Sequence, residues 1–263
     1  MCSGVRRKQR FARDSWTIVE CVDCSMVFIG EEMTYHQIDE HHSLDNSEKE
    51  LARRTDLHPG LLFLSKYTRR LRPNKNDRLL SQTIRWSRVG KLLDFGCGDA
   101  SFIRRASERF DVFGIEISSR LAQASRQRVG AGKILEGPVT EVADSHVPAV
   151  SFDVVTQFGY IEHEWNPMAG LRSALRVLKP GGVTVIKTPN FASWNRHSMG
   201  LDWCGFHIPA HCNYFTPASL AAMLKRVGFE PLSRPVLDRL PTSDSLWMAA
   251  RKPARSSERE FQK

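Results

Sequence analysis

The chain has 263 residues, 41% apolar and 25% charged, with a net charge of +9. That length buries one full α/β core with a small appendage. No apolar run is long enough for a membrane span, no apolar signal core follows the basic start, and six scattered cysteines do not form a disulfide framework, so the expected compartment is cytoplasmic.

Residues 1–45 carry a cysteine- and histidine-bearing segment, with strands expected over 15–20 and 26–29 around a Cys21-x-x-Cys24 knuckle. Structural zinc takes four Cys/His ligands, usually as two Cys-x2-Cys pairs. Cys21 and Cys24 supply one pair, Cys2 is a candidate third ligand, and His36, His41 or His42 a fourth. Arg6, Arg7, Lys8, Arg10 and Arg13 crowd the start, and Arg251, Lys252 and Arg255 lie near the end. Such runs suit RNA or anionic membrane, but more often they are solvated tails, which is the reading preferred here.

Residues 46–75 read as a helical connector with lid character, with Ser47-x-x-Glu50 as a capping box. The main domain is expected over 76–252. Asp77 caps a helix through 87. Strands follow at 91–95, 112–116, 133–136, 152–156 and 183–188, with helices over 100–109, 118–129 and 166–178. Thr216-Pro217 opens a helix that ends before Gly228, and 229–237 and 245–251 read as a closing pair of strands. Strands alternating with helices predict a parallel sheet covered on both faces. Residues 189–215 have no clear period and are too long for an ordinary loop. They hold Trp194, Asn195, Arg196, Trp203, His207, His211 and Tyr214, so they read as the wall or lid of an acceptor pocket. The polar tail 253–263 is expected to be disordered.

The chemistry concentrates in Leu92-Leu93-Asp94-Phe95-Gly96-Cys97-Gly98-Asp99-Ala100, a buried strand running into a glycine turn and a helix. The glycines allow a sharp turn and a close ligand approach. Glu116 ends the next strand roughly 20 residues on, where a carboxylate meets a ribose diol. A dinucleotide site wants glycine or alanine where Ser101 stands, and no Gly-Lys-Ser/Thr of a P-loop follows. Asp94 would repel a diphosphate and suits a cofactor carrying an amine and a sulfonium.

These segments resemble the class I S-adenosylmethionine-dependent methyltransferases. LLDFGCGDA looks like the family's first motif and Gly114-Ile115-Glu116-Ile117-Ser118 like its second. Ser151-Phe152-Asp153-Val154-Val155 with Tyr160-Ile161-Glu162-His163, and Leu178-Lys179-Pro180-Gly181-Gly182, match two more in order. The resemblance implies an α/β Rossmann-like fold. Its sheet would be seven-stranded and mostly parallel with an antiparallel last strand, and a small N-terminal cysteine-knuckle/helical extension would be added. It implies S-adenosyl-L-methionine held by Asp94, Phe95, Gly96, Cys97, Gly98, Glu116, Ile117 and Gln157, with Asp94 at the methionine ammonium, Glu116 at the ribose, and backbone contacts alone around Cys97. A closer resemblance is to bacterial members with a zinc-ribbon-like N-terminal knuckle and a W…P-x-H…F loop. Here that loop reads Trp203, Pro209-Ala210-His211 and Phe215, with Ala210 where relatives often carry arginine. Their first cysteine pair would fall partly before Met1-Cys2-Ser3-Gly4.

Methyl transfer needs alignment and, for hydroxyl or ammonium acceptors, removal of a proton. His163, beside Glu162 and just past the fourth strand, and His211 in the lid are the candidate bases; Glu162 completes the catalytic set. Some family members hold a divalent metal through Glu-x-x-Glu-His and a distal His. Gly159 stands in place of the first Glu, which argues against a catalytic metal. The expected function is methylation of O or N on a small-molecule or glycan-type acceptor. An RNA methyltransferase is the alternative, though no Asn/Asp-Pro-Pro-Tyr/Phe follows strand four. A non-catalytic cofactor-binding interaction module is a third reading.

Overall fold

A computed structural model describes residues 6–13, 15–31, 74–232 and 242–254. Cys2, His36, His41, His42, nearly all of the 46–75 connector and the end of the tail lie outside these.

The main sheet has seven strands: β4 (Gly90–Phe95), β5 (Phe110–Glu116), β6 (Ile134–Glu136), β7 (Phe152–Phe158), β8 (Leu178–Pro189), β10 (Glu230–Pro231) and β11 (Ser245–Arg251), in the order β10-β11-β8-β7-β4-β5-β6. β4 pairs parallel with β5 on one side and β7 on the other. The chain thus winds outward in both directions from β4, and a crevice opens at the carboxyl ends of β4 and β7, where such sheets bind ligands. β11 enters antiparallel between β10 and β8, as the resemblance implied.

Alternation along the strands sends side chains into two cores. Leu93, Phe95 and Val155 pack against α4 (Val139–His146), α5 (Pro167–Val177) and α7 (Pro217–Val227). Leu92, Val154, Val183 and Ala249 pack against α1 (Lys75–Ile84), α2 (Ser101–Ala106) and α3 (Ser119–Val129). Two helices end as their residues dictate. Asn166 caps α5 with Pro167 in the first turn, and Thr216 and Ser219 form a reciprocal box at α7, which stops at Gly228 with φ of 108°.

Several expectations are corrected. Asn74, not Asp77, caps α1: its side chain accepts from Asn76 N at 2.9 Å. The short α4 was not foreseen. Of 229–237, only Glu230–Pro231 forms a described strand. The basic start is not a tail, because Arg7–Arg13 is β1, the edge of a second sheet with β2 (Trp16–Cys21), β3 (Val27–Ile29) and β9 (Asn213–Tyr214). β9 belongs to the expected lid, so the N-terminal strands and the lid fold as one sheet.

Candidate active site

Successive residues of β4 point to opposite faces. Phe95 turns into the core, 5.7 Å from the Tyr160 ring, and Asp94 takes the other face, where Thr156 Oγ1 donates to it at 2.6 Å. The turn that follows needs left-handed backbone at Gly96 and Gly98, with φ of 69° and 57°. Gly98 N donates to Glu116 Oε2 at 2.7 Å and Ser118 N to Oε1 at 3.0 Å. Glu116 therefore joins the glycine turn to the first turn of α3, which Ser118 heads without a side-chain cap. A Cβ built on Gly98 meets no atom within 4 Å: the space there is open to a ligand.

Cys97 contributes no chemistry. Its thiol is buried against Gly114, where an added Cβ would lie 2.6 Å from the sulfur, and burial pushes its pKa far above the ordinary thiol range. Asp94 is 4% exposed. Burial, with the Glu116 charge adding to it, pushes its carboxyl up to about 8. Among the described residues no cation pairs with Asp94, and a cofactor bearing an ammonium and a sulfonium would supply a positive partner. The open space at Gly98 and this acid pair fit S-adenosylmethionine. Ile117 is half-buried just past β5. Gln157 departs from the rest of the set: it faces away from Asp94, and its amide donates to Thr184 Oγ1 at 3.0 Å. Thr156 was missed, because only sheet register pairs it with Asp94.

The three catalytic candidates come together. Glu162, His163 and His211 offer ligand atoms that all lie within 4.8 Å of one another. The lid is docked on the loop after β7, with Cys212 N and Asn213 N both donating to Glu162 O at 2.9 and 3.0 Å. His163 and His211 rings meet edge to face at 4.5 Å, and His207 stacks on His211 at 4.9 Å. His163 Nδ1 lies 2.7 Å from Ala210 O, and His211 Nδ1 2.7 Å from Gly205 O. A carbonyl only accepts, so Nδ1 carries the proton in each ring and Nε2 is the basic nitrogen. Burial pushes the Glu162 carboxyl up to about 7, against the pull of its own backbone N–H, the neighbouring Thr188 hydroxyl and, more weakly, Lys187. Its Oε2 is buried without a hydrogen-bond partner. One carboxylate and two imidazoles also make a donor set that a divalent cation takes, despite Gly159 at the position of the missing Glu.

Trp203 is not a pocket wall. It is 1% exposed and packs in a third core with Ile18, Val27, Ile29, Phe206 and Tyr214. Its Nε1 donates to Asp244 Oδ1 at 2.7 Å. Asp244 also accepts from Ser193 Oγ and Asn195 Nδ2, each at 2.8 Å, so it pins the lid to the edge of β11. Trp194, by contrast, is 64% exposed. In the knuckle, the Cys21 side chain packs in the main core with Met26 and Phe28, while Cys24 is exposed in the turn. Among the described residues this supplies two thiols, one of them in apolar surroundings, where structural zinc takes four ligands.

A family profile described as a methyltransferase domain matches residues 42–234. A Mycolicibacterium smegmatis protein named "probable S-adenosylmethionine-dependent methyltransferase" is 32% identical over 142 residues, 53% of this chain and 51% of that protein. The chain thus spans about half of that relative's length. A ubiquinone biosynthesis O-methyltransferase of Cereibacter sphaeroides (strain ATCC 17025 / ATH 2.4.3) is 28% identical over 60% of this chain and 67% of its own length. Among solved structures, a SAM-dependent methyltransferase from Archaeoglobus fulgidus superposes with a TM-score of 0.54 at 16% identity, covering 73% of this chain and 100% of the other. The 1,6-didemethyltoxoflavin-N1-methyltransferase of Burkholderia thailandensis superposes with a TM-score of 0.54 at 15% identity, covering 94% and 99%. At those identities the superpositions bear on fold alone. The profile match over most of the chain, on the sheet and acid pair just described, places the chain in the class I S-adenosylmethionine-dependent methyltransferase family.

Proposed function

We propose that the protein methylates an oxygen atom of a small-molecule or glycan-type acceptor, with His163 or His211 removing the proton. The observation that carries this reading is the meeting of Glu162, His163 and His211 beside the cofactor crevice. Bound S-adenosylmethionine supplies an electrophilic methyl group with a neutral leaving group. Asp94 balances its positive charge, and Glu116, already fixed by Gly98 and Ser118, takes the ribose hydroxyls. The Ala210 and Gly205 carbonyls hold the two rings in the tautomer that leaves each Nε2 basic. The docked lid excludes water. The named activity of the Cereibacter sphaeroides relative supports oxygen over nitrogen as the acceptor atom.

Acceptor-dependent formation of S-adenosylhomocysteine, measured over a panel of hydroxylated small molecules, tests the proposal. His163→Ala or His211→Ala is expected to lower kcat by about 10²-fold or more with cofactor affinity intact. Near-normal kcat in both variants would leave alignment alone as the mechanism.

The unpartnered Glu162 Oε2 favours a second reading, in which a divalent cation sits on Glu162, His163 and His211 and polarises the acceptor oxygen. Loss of turnover on chelation, with recovery on adding back one metal, would decide for it. The RNA alternative gains little from the basic start. Arg6 pairs with Asp23 at 2.6 Å, Arg10 pairs with Glu20, Arg7 lies over Phe28 and Arg13 reaches Leu201 O, so these cations are engaged within the chain.

A further inference from the structure

Three residues stand abreast across the main sheet, one step beyond Asp94 and Thr156. Phe158 of β7 is in register with Lys187 of β8, and Lys187 with Trp247 of β11. Alternation puts all three on the α1 side of the sheet. A lysine in such a row of aromatic side chains is unusual, since its charge loses water and needs an acceptor in return. Among the described residues Lys187 has no hydrogen-bond acceptor and no carboxylate at ion-pair distance. Its Nζ lies 6.0 Å from the centre of the Trp247 ring, at the outer limit of a cation–π contact and no substitute for a hydrogen-bond acceptor, and the Arg78 guanidinium of α1 lies 5.7 Å from the same ring, a second cation at the same place. Burial holds Lys187 below the ordinary lysine range, and Lys75 and Arg78 push the same way. Glu162 and Cys204 are the groups that pull it back. A second donor is stranded in the same row: Trp247 is 2% exposed and its Nε1–H is buried without a partner among the described residues.

The place matters as much as the charges. Gly159 N donates to the carbonyl of Lys187 itself at 2.9 Å. The loop that starts there delivers Glu162 and His163. Lys187 is therefore tied through its backbone to the base of the reacting cluster, with its side chain on the α1 side of the sheet. Among the described residues, the Lys187 ammonium and the Trp247 indole N–H are two neighbouring donors without an acceptor, with the Arg78 guanidinium beside the same indole. The ligand that completes this set is an oxyanion.

We propose that Lys187 and the Trp247 indole N–H, with Arg78 beside them, bind a carboxylate or phosphate group carried by the methyl acceptor. The acceptor is then an anionic small molecule, its charged end against β8 and β11 and its reacting oxygen toward His163 and His211. Phe158 gives its ring an apolar face. This rests on the methyltransferase reading above for the identity of the ligand, but not for the existence of the subsite.

The test reads occupancy without turnover. The Trp247 indole N–H resonance of the full chain, bound to S-adenosylhomocysteine and assigned with Trp247→Phe, is followed during titration with benzoate, phenyl phosphate and neutral benzamide. The expected result is a saturable shift with one or both anions and none with benzamide; benzoate against phenyl phosphate separates carboxylate from phosphate. Lys187→Met is expected to weaken the anion by about tenfold or more, since a charge-assisted hydrogen bond is lost, and Lys187→Arg to retain it. Unchanged cofactor affinity in Lys187→Met shows that the variant is folded. An indole resonance that ignores every anion, or anion binding equal in wild type and Lys187→Met, overturns the subsite. Anion binding that obeys the prediction while no acceptor is methylated would overturn the proposed function and leave the subsite standing.

Discussion

Asp94 is the carboxylate that, on the proposed reading, balances the positive charge of the cofactor. In the free protein burial keeps its carboxyl protonated up to about 8, whereas a cationic ligand stabilises the ionised form. Binding at pH values well below 8 must therefore release close to one proton, and affinity must climb as pH rises toward about 8 and then level off. Calorimetry in buffers of different ionisation enthalpy counts that proton, and Asp94→Asn should abolish both the release and the slope. The sign for the fold alone is the reverse. Because the folded pKa is raised, the cofactor-free protein is most stable below the unfolded carboxyl range, and that contribution is lost as pH rises through about 8. The place of Asp94, a carboxylate at the end of a strand just before a glycine turn, was legible in the sequence. Its partner Thr156 was not, because the two are joined only by strand register.

At the scale of elements, the glycine turn and the lid obey different rules. The turn is packed from below: Gly114 of β5 leaves room for the Cys97 sulfur. Gly114→Ala should cost about 1–3 kcal/mol by overpacking, and Cys97→Ala should recover much of that loss in the double variant. Chemical denaturation of the four proteins measures both. The lid is held by its own core. Trp203→Ala should remove about 3–5 kcal/mol, the range for emptying a large aromatic site, and break the Asp244 anchor. The expected signature is a lower thermal midpoint and lost acceptor turnover with cofactor affinity nearly kept. The aromatic richness of 189–215 was visible in the sequence and set that segment apart. The sequence did not show that Trp203 would turn inward and Trp194 outward, since a segment without a period carries no face.

Across the whole molecule, the N-terminal strands and the lid are one structure. β3 pairs with β9 through Val27 with Tyr214 and Phe28 with Asn213, and Ile29 N donates to Cys212 O at 3.0 Å. The N-terminal sheet thus holds the strand that places His211 against His163. Ile29→Ala, at a fully buried position of β3, should destabilise this unit by about 2–5 kcal/mol. Hydrogen exchange should show the loss in 203–214, far along the chain, while the main sheet stays protected. Uniform protection in wild type and variant would mean that the lid stands without the strands.

The sequence by itself determined the parts governed by short-range geometry. These are the left-handed glycines, the acid at the end of the next strand, the alternation of strands and helices, and the proline and threonine that start α7. Each depends on backbone conformation or on a period that a few neighbouring residues carry. Tertiary structure decided what distant segments do to one another. It turned a basic run into an edge strand, recruited two lid residues into the N-terminal sheet, buried Trp203, and brought His211 to Glu162 and His163. It also set Lys187 between Phe158 and Trp247 with no acceptor among the described residues. Those outcomes follow from register between strands far apart in the chain, and hydrophobic burial selects that register only when all the faces are present together.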